Sequence, residues 1–250
     1  MTLEGRSILI TGGGSGLGAA MARHFVSRGA AVTISGRRAD RIKALCDEIG
    51  CAGVVGDVTV AADREAMVAA AAQKGGGLDV LVNNAGNMYR TPVAALDEAQ
   101  LLGLFHTNVV GAMMLTSLAL PHLEASKGSV LFFGSSHTRR AFPGASPYAA
   151  TKGALQTLTQ VLAAEMGSRG VRVNCIVPGG VLTEINVRAG LLSEAEAAQR
   201  YRDMASLQAI DRLGEGSDVA EAAEYLIGAS WVTGAILDVD GGLGLGGSRG

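Results

Sequence analysis

Tyr148 and Lys152 stand four residues apart at the start of an Ala-rich helical pattern, a spacing that puts both side chains on one helix face, a turn apart. A phenol beside an ammonium is an acid whose anion is stabilised, so Tyr148 can exchange a proton near neutral pH although a free tyrosine titrates near ~10. Ser135 follows the apolar run Val130-Leu131-Phe132-Phe133 and Gly134, at a strand end from which it could hydrogen-bond the same reacting oxygen. By itself a Tyr-x-x-x-Lys pair reads as an ordinary helix-surface pair. Its meaning depends on an element far upstream.

That element is Ser7-Ile8-Leu9-Ile10-Thr11, a β-branched run followed by Gly12-Gly13-Gly14-Ser15-Gly16-Leu17-Gly18 and a helical pattern through Phe25 to Gly29. Strand, glycine loop and helix make a phosphate cradle, in which backbone N–H groups and the helix N-terminus approach a pyrophosphate. The next strand, Ala31 to Gly36, ends in Arg37-Arg38 where such a fold meets the adenosine ribose. An acid there would take a 2′-hydroxyl and an arginine a 2′-phosphate. Gly36 stands where the acid is expected and Arg37 follows, which favours NADP(H) over NAD(H).

Composition narrows the class. The 250 residues are 48% hydrophobic but only 4% aromatic, so Ala, Val, Leu and Gly must fill the core. A net charge of −2, with adjacent basic residues limited to isolated pairs such as Arg37-Arg38 and Arg139-Arg140, lacks the footprint of a nucleic-acid binder. Cys46, Cys51 and Cys175 show no metal-ligand spacing and read as small hydrophobes in a reducing compartment. No charged-then-apolar leader opens the chain, and the uncharged run Thr107–Leu123 falls short of the ~20 apolar residues of a spanning helix. A soluble, cytoplasmic protein without membrane, nucleic-acid or metal partners is expected.

The elements that position these residues alternate. A helix from Asp40 to Ile49 precedes a third strand, Gly53 to Val58, in which Asp57 could accept from an adenine amino group or simply open a turn. A helix from Ala61 to Lys74, a strand from Asp79 to Val82 and the sequence Asn83-Asn84-Ala85-Gly86 follow. A largely apolar helix, Thr107 to Leu120, carries Asn108 near its start and reads as a buried helix or a subunit interface. A helix from Tyr148 to Met166, a strand from Val171 to Val177, a helix from Ser217 to Ile227 and a strand from Ala235 to Val239 complete the alternation. Residues 185–212 suit a mobile substrate lid, and the glycine-rich tail, residues 241–250, should be loosely ordered. The expectation is one α/β domain over residues 1–250: a doubly wound Rossmann fold with a seven-stranded parallel sheet and helices on both faces, binding ligands at the strands' carboxyl ends.

Over nearly its whole length the chain resembles the short-chain dehydrogenase/reductase family. The motifs are Thr11-Gly12-x-x-x-Gly16-x-Gly18, Asp57-Val58, Asn83-Asn84-Ala85-Gly86, Asn108, Ser135 thirteen residues before Tyr148, Tyr148-x-x-x-Lys152 and Pro178-Gly179-x-x-x-Thr183. The resemblance implies a phosphate loop of Gly12, Gly16 and Gly18 with Gly14, Ser15 and Leu17, and Arg37 as selector of the 2′-phosphate. It implies adenine contacts from Asp57 and Val58, ribose and backbone contacts from Asn84, Ala85 and Gly86, and nicotinamide-side contacts from Pro178, Gly179, Val181 and Thr183. Asn108, Ser135, Tyr148 and Lys152 become the catalytic set: Tyr148 as proton donor, Lys152 as its support and a ribose ligand, Ser135 orienting the carbonyl and Asn108 holding a relay water. It also implies a homotetramer, with a homodimer as the alternative.

His137, Met88, Tyr89, Phe142, Leu182 and Ile185 are expected to line the substrate pocket. Their mostly apolar character suggests a hydrophobic ketone or secondary alcohol, with NADP(H) as cofactor. The alternatives are an NAD(H)-dependent sugar or polyol dehydrogenase and a non-catalytic nucleotide-sensing relative.

Overall fold

The first strand, β1 (Ser7–Thr11), is buried at every position, the pattern of a strand covered on both faces. The computed structural model describes residues 3–181, 190–191 and 193–246. Among them β1 is joined by β2 (Ala31–Gly36), β3 (Ala52–Val55), β4 (Val80–Asn83), β5 (Ser129–Phe133), β6 (Arg172–Pro178) and β7 (Ile236–Val239). The sheet runs β3-β2-β1-β4-β5-β6-β7 with all neighbours parallel. β1 pairs β2 through Ile8↔Val32 and β4 through Ile8↔Val80. The chain winds outward from β1 in both directions, leaving a crevice at the β1/β4 carboxyl ends, the place where such sheets take ligands.

Strand residues alternate between two cores. Ile8 and Ile10 pack on one side with Met21 and Phe25 of α1 (Gly16–Ser27), Ile42 and Leu45 of α2 (Ala39–Ile49), and residues of a late helix, Gly216–Gly228. Leu9 packs on the other with Met67 of α3 (Ala61–Gly75), Leu115 and Leu123 of α5 (Gly111–Ser126), and Leu155 of α6 (Ser146–Met166). The expected doubly wound sheet is therefore the one that forms. α4 (Glu98–Phe105) and α7 (Glu194–Ala205) lie in the connections, and Gly216–Gly228 is α8.

Four expectations need correction. β3 ends at Val55 rather than Val58, because Asp57 Oδ1 accepts from the Thr59 backbone N–H at 2.9 Å and its hydroxyl at 2.8 Å, closing a turn. The helix expected to begin at Thr107 begins at Glu98: α4 runs through a π-helical turn, His106–Val110, into α5. The whole run Glu98–Ser126 is long and apolar enough to cross a membrane by length and composition, unlike the shorter stretch read from the sequence. Here Leu104, Ala112, Leu115, Ala119 and Leu123 are buried in the fold. Finally, the described part of the glycine-rich tail, residues 241–246, is anchored: Leu243 is fully buried, and Gly242 and Gly244 donate backbone N–H bonds to Asp240. Leu182, Thr183 and Ile185, and with them part of the expected lid, lie outside the described residues.

Candidate active site

At the β1/β4 crevice the glycine loop is packed so closely that side chains would not fit. A Cβ on Gly18 would collide with the Gly12 carbonyl oxygen and sit 2.6 Å from Asn84 Nδ2; one on Gly12, whose φ is +64°, would meet Ala85 Cα at 3.0 Å. Asn84 holds this arrangement together, donating from Nδ2 to the carbonyls of Thr11 at 2.9 Å and Gly12 at 3.2 Å. It thus ties the loop to β4, while Ala85, Gly86 and Asn87 line the adjoining cavity of about 290 Å³. Gly12, Gly14, Ser15, Asp57 and Val58 also line it, together with Arg37, Arg38, Arg41 and Thr107. Leu17 instead packs against the core, and Val181 lines a different cavity with Gln208 and Asp240. Pro178 closes β6, and Gly179 lies against Asp240.

Charge in this cleft is mostly positive. Arg37 Nη1 stands 3.6 Å from Asp57 Oδ2, and Arg38 Nη2 donates to Ser15 Oγ at 2.6 Å. Burial alone would raise the Asp57 carboxyl, but the two Thr59 bonds, with Arg37 and His106 nearby, hold it below its ordinary value. Three guanidiniums, a glycine loop and a helix N-terminus suit the phosphate groups of a dinucleotide. Arg38 and Arg41 were not singled out individually from the sequence. Arg38, the residue that precedes α2, and Arg41, on its first turn, stand three apart, and that spacing was the available signal.

The chemistry-bearing residues meet one step further along the crevice. Lys152 is 5% exposed and donates from Nζ to the Phe133 carbonyl at 2.8 Å; Nζ lies 5.5 Å from the Tyr148 ring centroid. Burial pushes the Lys152 ammonium down to about 8. Tyr148 is itself buried, on the α6 turn preceding Lys152. Ser135 caps a short 3-10 turn, Ser136–Thr138, at the end of β5, and its Oγ lies 3.0 Å from His137 Nδ1. The His137 ring stands edge-on to Tyr148 at 5.2 Å and against Phe142 at 4.6 Å.

Asn108 is buried within the π turn, a helix irregularity that recurs at functional sites. Its Nδ2 donates to the Asn87 carbonyl at 3.0 Å and to Thr151 Oγ1 at 3.1 Å, and its Oδ1 accepts from the Asn87 N–H at 2.8 Å. Thr151 in turn donates to the Tyr148 carbonyl. Asn108 therefore clasps the loop after β4 to the helix that bears Tyr148 and Lys152. Sequence reasoning passed over Asn87 and Thr151 because nothing in their types separates them from ordinary loop and helix residues.

A second cavity, about 560 Å³, adjoins the first, and Asn87, Met88, Tyr89, Arg90, Gln100 and Thr107 contribute to its wall. It is more polar than the sequence suggested: Met88, Leu104 and Leu191 are its apolar side chains beside Arg37, Asn87, Arg90, Gln100 and Thr107, and the Tyr89 hydroxyl accepts from the Asp97 N–H at 3.1 Å. Among the described residues no cluster of His, Cys, Asp or Glu could hold a metal ion.

Residues 6–191 match a family described as short chain dehydrogenase. L-fucose dehydrogenase of Bos taurus is 37% identical to this chain over 98% of it and 92% of the relative. Galactitol 2-dehydrogenase (L-tagatose-forming) of Cereibacter sphaeroides is also 37% identical, over 96% and 95%. The crystal structure of 3-ketoacyl-(acyl-carrier-protein) reductase from Brucella melitensis complexed with NADH superposes with a TM-score of 0.89 at 32% identity, over 97% of this chain and 100% of that one.

Proposed function

The chain belongs to the short-chain dehydrogenase family, whose members act on alcohols and carbonyls, and on that premise we propose that it interconverts a ketone and a secondary alcohol with NADP(H). The observation that carries the reading is the buried Lys152 ammonium beside Tyr148, with Ser135 linked to the same ring through His137.

A bound nicotinamide dinucleotide supplies or accepts the hydride. Tyr148 gives its phenolic proton to the carbonyl oxygen in reduction and takes it back in oxidation. Lys152 stabilises the phenolate left behind, because an ammonium in a water-poor pocket acts at higher field than in solution. Ser135 donates a hydrogen bond to the substrate oxygen. Asn108 has both amide hydrogens engaged, so any water it holds for proton return must donate to its carbonyl oxygens. Arg37, Arg38 and Arg41 support NADP(H): they line the adenosine cavity where Gly36 stands in place of an acid.

For substrate, the polar second cavity and the sugar and polyol dehydrogenases among the relatives favour a polyhydroxylated secondary alcohol. The second reading, a hydrophobic ketone, draws on Met88 and on Phe142 against His137. The apolar outer face of α5, with Met113, Met114 and Leu118 exposed, supports assembly as a homotetramer built first from a dimer.

The decisive experiment follows absorbance of the reduced cofactor with L-fucose, galactitol, acetophenone and 2-octanone (alcohols with NADP+, ketones with NADPH). Turnover of at least one is expected, and Tyr148→Phe should abolish it while NADPH still binds. Retained turnover in that variant would remove Tyr148 from its role.

A further inference from the structure

The Ser135 hydroxyl has one proton to give and two lone pairs to receive with. One lone pair already accepts from the His137 backbone N–H at 3.3 Å. The His137 ring reaches the same oxygen through Nδ1 at 3.0 Å, and the direction of that bond depends on which ring nitrogen carries the proton. With Nδ1 bare, Ser135 gives its only proton to the imidazole and has none for a substrate. With Nδ1 protonated, both lone pairs are filled from within the loop and the hydroxyl proton must go elsewhere.

We propose that His137 is a positioning residue that donates from Nδ1 to Ser135 Oγ and so fixes the Ser135 hydroxyl as a donor toward the substrate oxygen. The inference rests on the reading in which Ser135 orients that oxygen. The imidazole is held in place by its surroundings, with Tyr148 edge-on to it and Phe142 packed against it. The 3-10 turn carrying it is closed by the Thr138 hydroxyl and N–H, both bonded to the Ser135 carbonyl. Ser135 is therefore held through backbone and ring together, and the imidazole decides in which direction its hydroxyl is polarised. His137 touches no reacting atom in this scheme and acts only through Ser135.

The chain has four histidines, so nitrogen NMR of the labelled imidazoles, with His137→Asn to assign the signal, reads the tautomer directly in the NADP+ complex. A protonated Nδ1 on His137 that shifts in Ser135→Ala is expected; a bare Nδ1 overturns the proposal whether or not a substrate is found. Kinetics give a second readout on the fastest compound of the panel. His137→Leu should lower kcat at least about tenfold, on the scale of losing a preorganised donor, with KM for NADPH unchanged. His137→Asn, whose amide N–H falls where Nδ1 stood, should recover most of the loss, whereas His137→Gln, whose amide sits further out, should not. Equal rates in the Leu, Asn and Gln variants would sink the inference. Full activity in Ser135→Ala and Tyr148→Phe would instead sink the functional reading beneath it.

Discussion

Lys152 carries its charge where water does not reach, and that placement has a cost that depends on pH. Its ammonium is held down to about 8 when folded, against about 10.4 in an unfolded chain. Below pH 8 the lysine is charged in both states and the desolvation penalty is fully present. Between about 8 and 10.4 the folded protein sheds the proton first, so this group's contribution to stability rises with pH. Lys152→Met should therefore stabilise the protein at pH 7 by about 2 kcal/mol, less than the ~3 kcal/mol implied by the shift because the Phe133 carbonyl loses its donor. Thermal melts of both proteins across pH 6 to 11 should show that gain fading between pH ~8 and ~10.4, while turnover is lost at every pH. A lower melting temperature for the variant at pH 7 would show that burial does not strain this lysine. The pairing of Tyr148 with Lys152 was legible from a spacing of four, since helix geometry fixes it. The burial of Lys152 was not, because its cover is a carbonyl from β5. Arg38 was equally hidden: its bond to Ser15 crosses between elements 23 residues apart.

Elements place these residues through close backbone approach. Gly18→Ala puts a methyl group against the Gly12 carbonyl and Asn84; overpacking of this kind costs about 1–3 kcal/mol. The variant should melt lower and bind NADPH more weakly, as titration of cofactor fluorescence would show, whereas a mere turn glycine would tolerate the change. At the other wall of the cleft, Arg38→Ala should weaken NADPH by about 10- to 100-fold, the range of a charge-assisted bond, and leave NADH nearly unchanged. Equal losses for both cofactors would assign Arg38 to the loop alone, through Ser15. Strand and helix alternation could be read because period and glycine punctuation are local signals. The π turn could not: an inserted residue leaves the apolar pattern of the Glu98–Ser126 run intact, so the sequence showed a helix starting late where the fold has one with a widened turn around Asn108. β3 was read too long because Asp57 looks like a strand end until its bonds to Thr59 are seen.

At the scale of the molecule, the parallel sheet covered on both faces was legible in near-continuous apolar strands separated by helices, and such a sheet takes ligands at its carboxyl edge. What local pattern could not supply is which outer face would carry the proposed assembly. α5 buries Leu115, Ala119 and Leu123 inward and leaves Met113, Met114 and Leu118 outward, so under the proposed assembly Met114→Glu should lower the mass measured by light scattering toward a single chain while the melting temperature changes by little. An unchanged mass would remove this face from the proposed assembly, with the exposed Tyr225 on α8 and Trp231 just beyond it as the next face to alter. Asn108 grips Asn87 by both backbone groups, whereas Met88, Tyr89 and Arg90, the next three residues along that loop, line the neighbouring cavity. The segment is thus clasped by Asn108 at its base and turns its next three residues to the cavity. Combinatorial libraries restricted to those three positions would retune which alcohols are accepted, and the proton-handling machinery would be inherited intact by every clone.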